Sequence, residues 1–224
     1  MRENLTHVIE DYLKSIYDLT ADSGRATTNQ IAERMGVTPA SVTNMIQKLA
    51  STDPPLLEYR KHRGVVLTEE GERVALEILR HHRLLEMFLH QTLGYSWDEV
   101  HEEADRLEHV ISEEFEERIA ERLGHPRRDP HGDPIPTRDL ELPQAKAMTL
   151  GDLRPGQRAT VQRVRDADPE LLRYLSDLGI TPGARLTILD FSPFDNNIRL
   201  QVQSHDEAVV LGPSVTGQVF VEPA

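Results

Sequence analysis

Apolar residues in the opening segment recur three and four positions apart. Leu5, Val8, Ile9, Tyr12, Leu13, Ile16 and Tyr17 share one side of a helix, which predicts a helix over about 4–19. The run TTNQIAERMGVTPASVTNMIQKL then reads as two short helices around a tight turn. Thr27 with Gln30 forms a capping box, Gly36 marks the turn, and Thr38 followed by Pro39 opens the second helix. Beyond Pro54 and Pro55, LLEYRKHRGVVLTEEG alternates as a β-hairpin with a basic tip. Thr68 caps a long helix to about residue 93. Ser96 with Glu99 opens a helix through about 109 or 110, and Ser112 opens another ending at Gly124. A proline-rich stretch, HPRRDPHGDPIPTRDLELP, has no periodicity and predicts a linker or docking loop. From about Leu150 onward, short alternating runs broken by Gly, Pro and Asp predict a small β-barrel with one helix near 169–179.

Helix–turn–helix followed by a basic hairpin is the order of a winged helix. In that arrangement the second helix enters the DNA major groove by its N-terminal turn. The candidate DNA contacts are therefore Thr27, Thr38, Pro39, Ala40, Ser41, Thr43, Asn44 and Lys48 on the helix pair. Arg60, Lys61 and Arg63 at the wing would meet phosphates. The net charge of the 224 residues is −13, which taken alone argues against nucleic acid. Its distribution reverses that inference: the first 73 residues carry only −2, whereas 74–143 carry −9 together with 7 of the 10 histidines. Acidity mixed with imidazole is the composition of a divalent-cation site. The sequence has no cysteine, which excludes disulfides, thiolate metal sites and cysteine nucleophiles. With no signal-peptide pattern and no membrane-length apolar run, the expectation is a cytoplasmic protein without a membrane partner.

The acidic segment carries the sharpest pattern. His101, Asp105, Glu108 and His109 read HxxxDxxEH on one predicted helix, with offsets that place them on one face. His82 and Glu86 stand four apart on the preceding helix, and two helices joined by a short loop can bring these faces together. Imidazole and carboxylate without thiol suit Mn, Fe(II), Co, Ni or Zn. His101 to Asp105 also reads HExxD, one residue from the HExxH hydrolase motif. A hydrolase would need Glu102 directed at the metal, yet Glu108 and His109 continue the ligand face without it, so no enzyme is expected.

These landmarks together resemble the diphtheria toxin repressor and manganese transport regulator family of metal-dependent repressors. EDYLKSIYDL, RGVVLTEEG, HHRLLEMFL, HEEADRLEHVISEE and DPHGDPIP carry the resemblance over nearly the whole chain. It implies a mainly α fold with small β elements, in three parts. These are a winged helix-turn-helix DNA-binding domain over 1–72, a helical metal-binding and dimerisation domain over 73–143, and an SH3-like domain over 144–224. It places Asp11, Asp105, Glu108 and His109 on a primary metal site, and His82, Glu86 and His101 on an ancillary one. Asp166 or Asp168 stands in for ligands that the iron branch draws from its SH3-like domain, where this chain has Arg163 and Asp166. The iron branch has sulfur donors where Asp11 and Asp105 stand here, so Mn(II) is the expected ion. Fe(II) is the alternative, and Zn(II) or Co(II) is expected to bind in vitro. The expected function is a homodimeric, manganese-activated repressor that binds operator DNA at metal-homeostasis genes.

Overall fold

In the computed structural model, residues 5–60, 64–143, 148–165 and 168–224 are described. The chain divides into two compact units. The first comprises Met1–His81, Glu108–Ile111 and Pro136–Leu142, and the second comprises His82–Leu107, Ser112–Ile135 and Pro143–Ala224.

The first unit begins with α1 (His7–Ser23), which starts and ends about one turn later than its apolar pattern suggests and stops where Gly24 takes a left-handed conformation. α2 (Thr28–Met35) opens on the expected capping box, Thr27 with Gln30, and α3 (Pro39–Ala50) opens on Thr38. Strands β1 (Leu57–Arg60) and β2 (Gly64–Leu67) pair antiparallel as the wing. The wing is also fastened to the loop before α2, because Ala26 and Val65 exchange two backbone hydrogen bonds at 3.0 and 2.8 Å. One apolar core joins these elements, with Leu13, Ile16, Ile31, Ile46, Leu49 and Val65 fully buried. The long helix α4 (Glu69–Phe88) begins here. Its Gly71 lies so close to the preceding loop that a Cβ would stand 1.9 Å from the Leu56 carbonyl oxygen.

Leu89–Leu93 continue α4 as one π-helical turn, closed by Gly94 in a left-handed conformation. α5 (Val100–Leu107) starts later and ends earlier than the periodicity predicts. Ser96 and Glu99 do form their capping contacts, at 2.6 and 3.2 Å, but around a turn. Residues 108–110 form a further turn before Ser112 caps α6 (Glu113–Arg122). The predicted one-face helical HxxxDxxEH motif is therefore corrected: His101 and Asp105 are helical, whereas Glu108 and His109 lie in the turn.

The C-terminal part of the second unit is a six-stranded antiparallel sheet in the order β3-β8-β4-β5-β6-β7. Its strands are β3 (Met148–Thr149), β4 (Arg158–Val164), β5 (Arg185–Phe191), β6 (Ile198–Val202), β7 (Val209–Leu211) and β8 (Val219–Pro223). α7 (Pro169–Asp177) lies between β4 and β5, and the short α8 (Pro213–Thr216) precedes β8. Register shifts at Val161/Arg163 and Ile188/Asp190 curve β4 and β5. The inner face buries Val161, Val164, Leu172, Leu175, Ile188 and Leu200.

Candidate metal centre

Within the first unit, α1 carries two kinds of residue on two faces. Tyr12, Leu13 and Ile16 face the apolar core, and Asp11 and Lys14 lie on the opposite side. Glu108 and His109 meet that polar side. His109 Nε2 stands 2.9 Å from Asp11 Oδ1 and 3.5 Å from Glu108 Oε1. Its other ring nitrogen, Nδ1, is 2.7 Å from Glu10 Oε2, and the exposed His7 ring stacks on it with centroids 4.8 Å apart. Glu10 is buried and was not among the sequence candidates. Its role is to hold the imidazole so that Nε2 points between Asp11 and Glu108. Lys14 Nζ donates to both oxygens of Glu108, at 2.9 and 2.7 Å. The His109 side chain is 8% exposed. Burial alone would lower its pKa, but hydrogen bonds donated to Asp11 and Glu10 and the charges of Glu108 and Asp11 raise it to about 9.

The second unit brings together the expected ancillary residues. His82 Nε2 is 2.9 Å from Glu86 Oε1 and 3.1 Å from His101 Nδ1, and His101 Nδ1 is 3.2 Å from the same Glu86 oxygen. The structure places Asp105 here as well, 3.2 Å from His82 Nδ1 and 3.7 Å from His101 Nε2. Glu86 has a further set of neighbours that the sequence reading did not assign. Asp129 and His131, from the DPHGD loop, each offer a donor atom, and these lie with one from Glu86 within 4.8 Å of one another, all three residues being buried. Gly132 lets this loop lie against β4: its φ is +93°, and a Cβ would stand 2.0 Å from the Gln162 carbonyl oxygen. Asp129 Oδ1 accepts backbone N–H bonds from His131 and Asp133, both at 2.9 Å, which fixes the loop.

The electrostatics of this second cluster are those of a cation cage. Burial would raise Glu86, yet His82, with His101 and His131, holds it well below the usual carboxylate range. Asp129 is pushed well above that range by burial and by the charges of Glu86 and Asp133. Glu86 Oε2 and Asp129 Oδ2 are both buried without a hydrogen-bond partner. Arg83 Nε pairs with Asp129 Oδ2 by charge at 3.5 Å, whereas Glu86 Oε2 is costly to leave without a partner, and a divalent ion beside it would satisfy it. The donor set therefore fits a metal.

The other expected positions divide clearly. Thr38, Pro39, Ala40, Ser41, Asn44 and Lys48 form the exposed side of α3, opposite the buried Val42, Ile46 and Leu49, and Thr43 is half-buried. Thr27 is exposed, with its side chain in the capping box. Arg60 is exposed at the end of β1, whereas Lys61 and Arg63 lie outside the described residues. Asp166 lies outside them too, and Asp168 is the N-cap of α7, accepting from Glu170 N and Leu171 N. Arg163 is paired with Asp133 at 2.9 Å and stacked over Phe220 at 3.8 Å. Glu102 points to solvent and pairs with Arg106 at 3.8 Å, so HExxD has no water-activating carboxylate.

Three family models match in series along the chain. They are the N-terminal DNA binding domain of iron dependent repressors over 4–65, the metal binding and dimerisation domain of the same repressors over 68–137, and the FeoA domain over 148–223. The iron-dependent repressor IdeR of Mycobacterium leprae (strain TN) is 34% identical over 232 residues, covering 98% of each chain. The chain belongs to the diphtheria toxin repressor family of iron- and manganese-dependent repressors. Two solved structures are similar to this diphtheria toxin repressor family member over most of its length. A manganese-dependent transcriptional repressor in complex with manganese has a TM-score of 0.87 at 41% identity, covering 96% of this chain and 100% of that one. The manganese regulator SloR has a TM-score of 0.78 at 32% identity, with 96% and 98% covered. The chain is thus a metal-dependent transcriptional repressor of that family, not an enzyme, and its domains imply operator DNA and a homodimer. Among the described residues no helix is long and apolar enough to cross a membrane.

Proposed function

We propose that this repressor is activated by Mn(II) and then binds operator DNA at metal-homeostasis genes, as a homodimer. We assign DNA binding to 1–72, metal binding and dimerisation to 73–143, and the SH3-like part to 144–224. The observation that carries the reading is His109 Nε2, held between Asp11 and Glu108 while Glu10 fixes the far side of the ring. Asp11 belongs to α1, whose other face is the core of the helix–turn–helix unit, so a ligand here acts directly on the DNA-binding element.

A divalent ion would supply two positive charges beside Asp11 and Glu108, in place of the proton that His109 holds between them. Asp11, Glu108 and His109 bind it in the first unit. Glu86 binds a second in the other unit, with His82 and His101, and Asp129 and His131 present further donors beside it. Binding fixes the orientation of α1, and the DNA-competent arrangement is selected from those that the metal-free chain samples.

Manganese is favoured by donor chemistry. Carboxylate oxygens with one imidazole and no sulfur suit a hard ion, and the two solved structures described above are named as manganese regulators. The iron-dependent curated relatives support Fe(II) as the second reading. A gel-shift titration of Mn(II), Fe(II) and Zn(II) on the DNA upstream of this chain's own gene tests both. Mn(II) should drive binding at the lowest free concentration among the ions that activate. Glu108→Ala and His109→Ala should lose metal-stimulated binding while keeping the fold. Either variant binding as tightly as wild type would refute the site.

A further inference from the structure

The first cluster already contains a cation. Lys14 lies one turn beyond Asp11 on α1, and its ammonium donates to both oxygens of Glu108 at 2.9 and 2.7 Å. This pair is well withdrawn from water, with Lys14 16% and Glu108 1% exposed. Glu108 thus faces the His109 imidazole on one side and the Lys14 ammonium on the other.

A buried carboxylate requires a counter-charge. Here that charge is tethered to the neighbouring helix, so the requirement is met before any metal arrives. Two consequences follow from the geometry. An ion approaching Glu108 meets a like charge within a few ångströms, in a site where screening by water is weak. With an N–H on each carboxylate oxygen, Glu108 also loses its free bidentate edge and keeps only the outer lone pair of each oxygen for a metal.

We propose that Lys14 determines the affinity of this site for divalent ions: its ammonium competes for Glu108 and raises the free metal concentration needed for loading. The proposal rests on the assignment of Asp11, Glu108 and His109 as a metal site. It predicts that removing the charge while keeping the length of the side chain strengthens metal binding, the opposite of what loss of a structural contact would do.

The test is Mn(II) binding to the full chain by competition with a fluorescent chelator, in a Glu86→Gln, His101→Ala background that removes the carboxylate shared by both donor groups of the second cluster. Lys14→Met and Lys14→Gln should each bind Mn(II) about tenfold tighter than the parent, since a like charge so near is worth at least one decade. Lys14→Arg retains the charge and should remain within about threefold of the parent. Thermal melts give an independent readout. The neutral variants should melt lower than the parent without metal, and at or above it with saturating Mn(II). Unchanged or weaker binding by both neutral variants overturns the proposal, as does failure of both to fold, which would make Lys14 a structural requirement. His109→Ala in the same background checks the underlying assignment. If it binds Mn(II) like the parent, the site itself is wrong; if it loses binding while the Lys14 variants are neutral, only the role of Lys14 fails.

Discussion

As a proposed ligand, His109 should tie metal binding to protons in a way that can be measured. Its Nε2 must lose a proton before the lone pair between Asp11 and Glu108 becomes available. Burial opposes the charged ring, but the hydrogen bonds to Asp11 and Glu10 prevail and its pKa is raised to about 9. Each ion bound below that pH therefore displaces one proton, and apparent affinity should rise about tenfold per pH unit. Between about pH 7 and 9 the gain is roughly a hundredfold, or about 2.7 kcal/mol. A histidine with an ordinary pKa would give almost no change over that window. Metal-free stability runs the other way. The raised folded pKa contributes stability that is fully present below the unfolded value near 6.5 and is lost as pH rises through about 9. Calorimetric titration with Mn(II) in buffers of different ionisation enthalpy, at about pH 8, counts the protons released at this site. Chelator competition across the pH range measures the slope. Glu10→Gln should narrow the window by removing one of the two hydrogen-bonded carboxylates. Zero proton release, or an affinity flat from about pH 7 to 9, would refute the reasoning.

Three other expectations follow from local geometry. Trp97, the chain's single tryptophan, stacks on His131 with centroids 5.8 Å apart, so metal entering the Glu86 cluster should change its emission, and Asp129→Ala should remove that response. Gly71→Ala would place a Cβ 1.9 Å from the Leu56 carbonyl oxygen, and the variant should be less stable by on the order of 3 kcal/mol in denaturant unfolding. Arg60→Ala should weaken specific and non-specific DNA binding alike and reduce the salt slope by about 0.9 if one phosphate contact is lost; an unchanged slope would show that Arg60 does not touch the backbone.

Much of the fold is legible in local chemistry. Thr27 with Gln30, and Thr38 with Pro39, mark the two helix starts because each satisfies N–H groups that the sequence alone shows to be in need of a partner. The end of α5 is less legible: apolar spacing continues past Leu107, while Ser112 must begin a new helix and forces a turn first. That turn separates Glu108 and His109 from the helical His101 and Asp105. Asp129 and His131 escaped assignment because they join Glu86 across more than forty positions, through a proline-rich loop that has no period to read. Their visible trace was the clustering of histidine and acid in DPHGD. Glu10 was hidden for another reason. It adjoins Asp11, and only the three-dimensional approach of His109 shows that the two carboxylates grip opposite nitrogens of one ring.

The pair of backbone bonds between Ala26 and Val65 has a consequence for how such a protein can change. They join the wing to the residue just before the Thr27 capping box without using any side chain. The placement of the hairpin beside the start of α2 is therefore insensitive to which amino acids occupy the tip. Tip residues can be exchanged without moving the strands that carry them. Sequence drift at the tip is thus uncoupled from the backbone that anchors the wing.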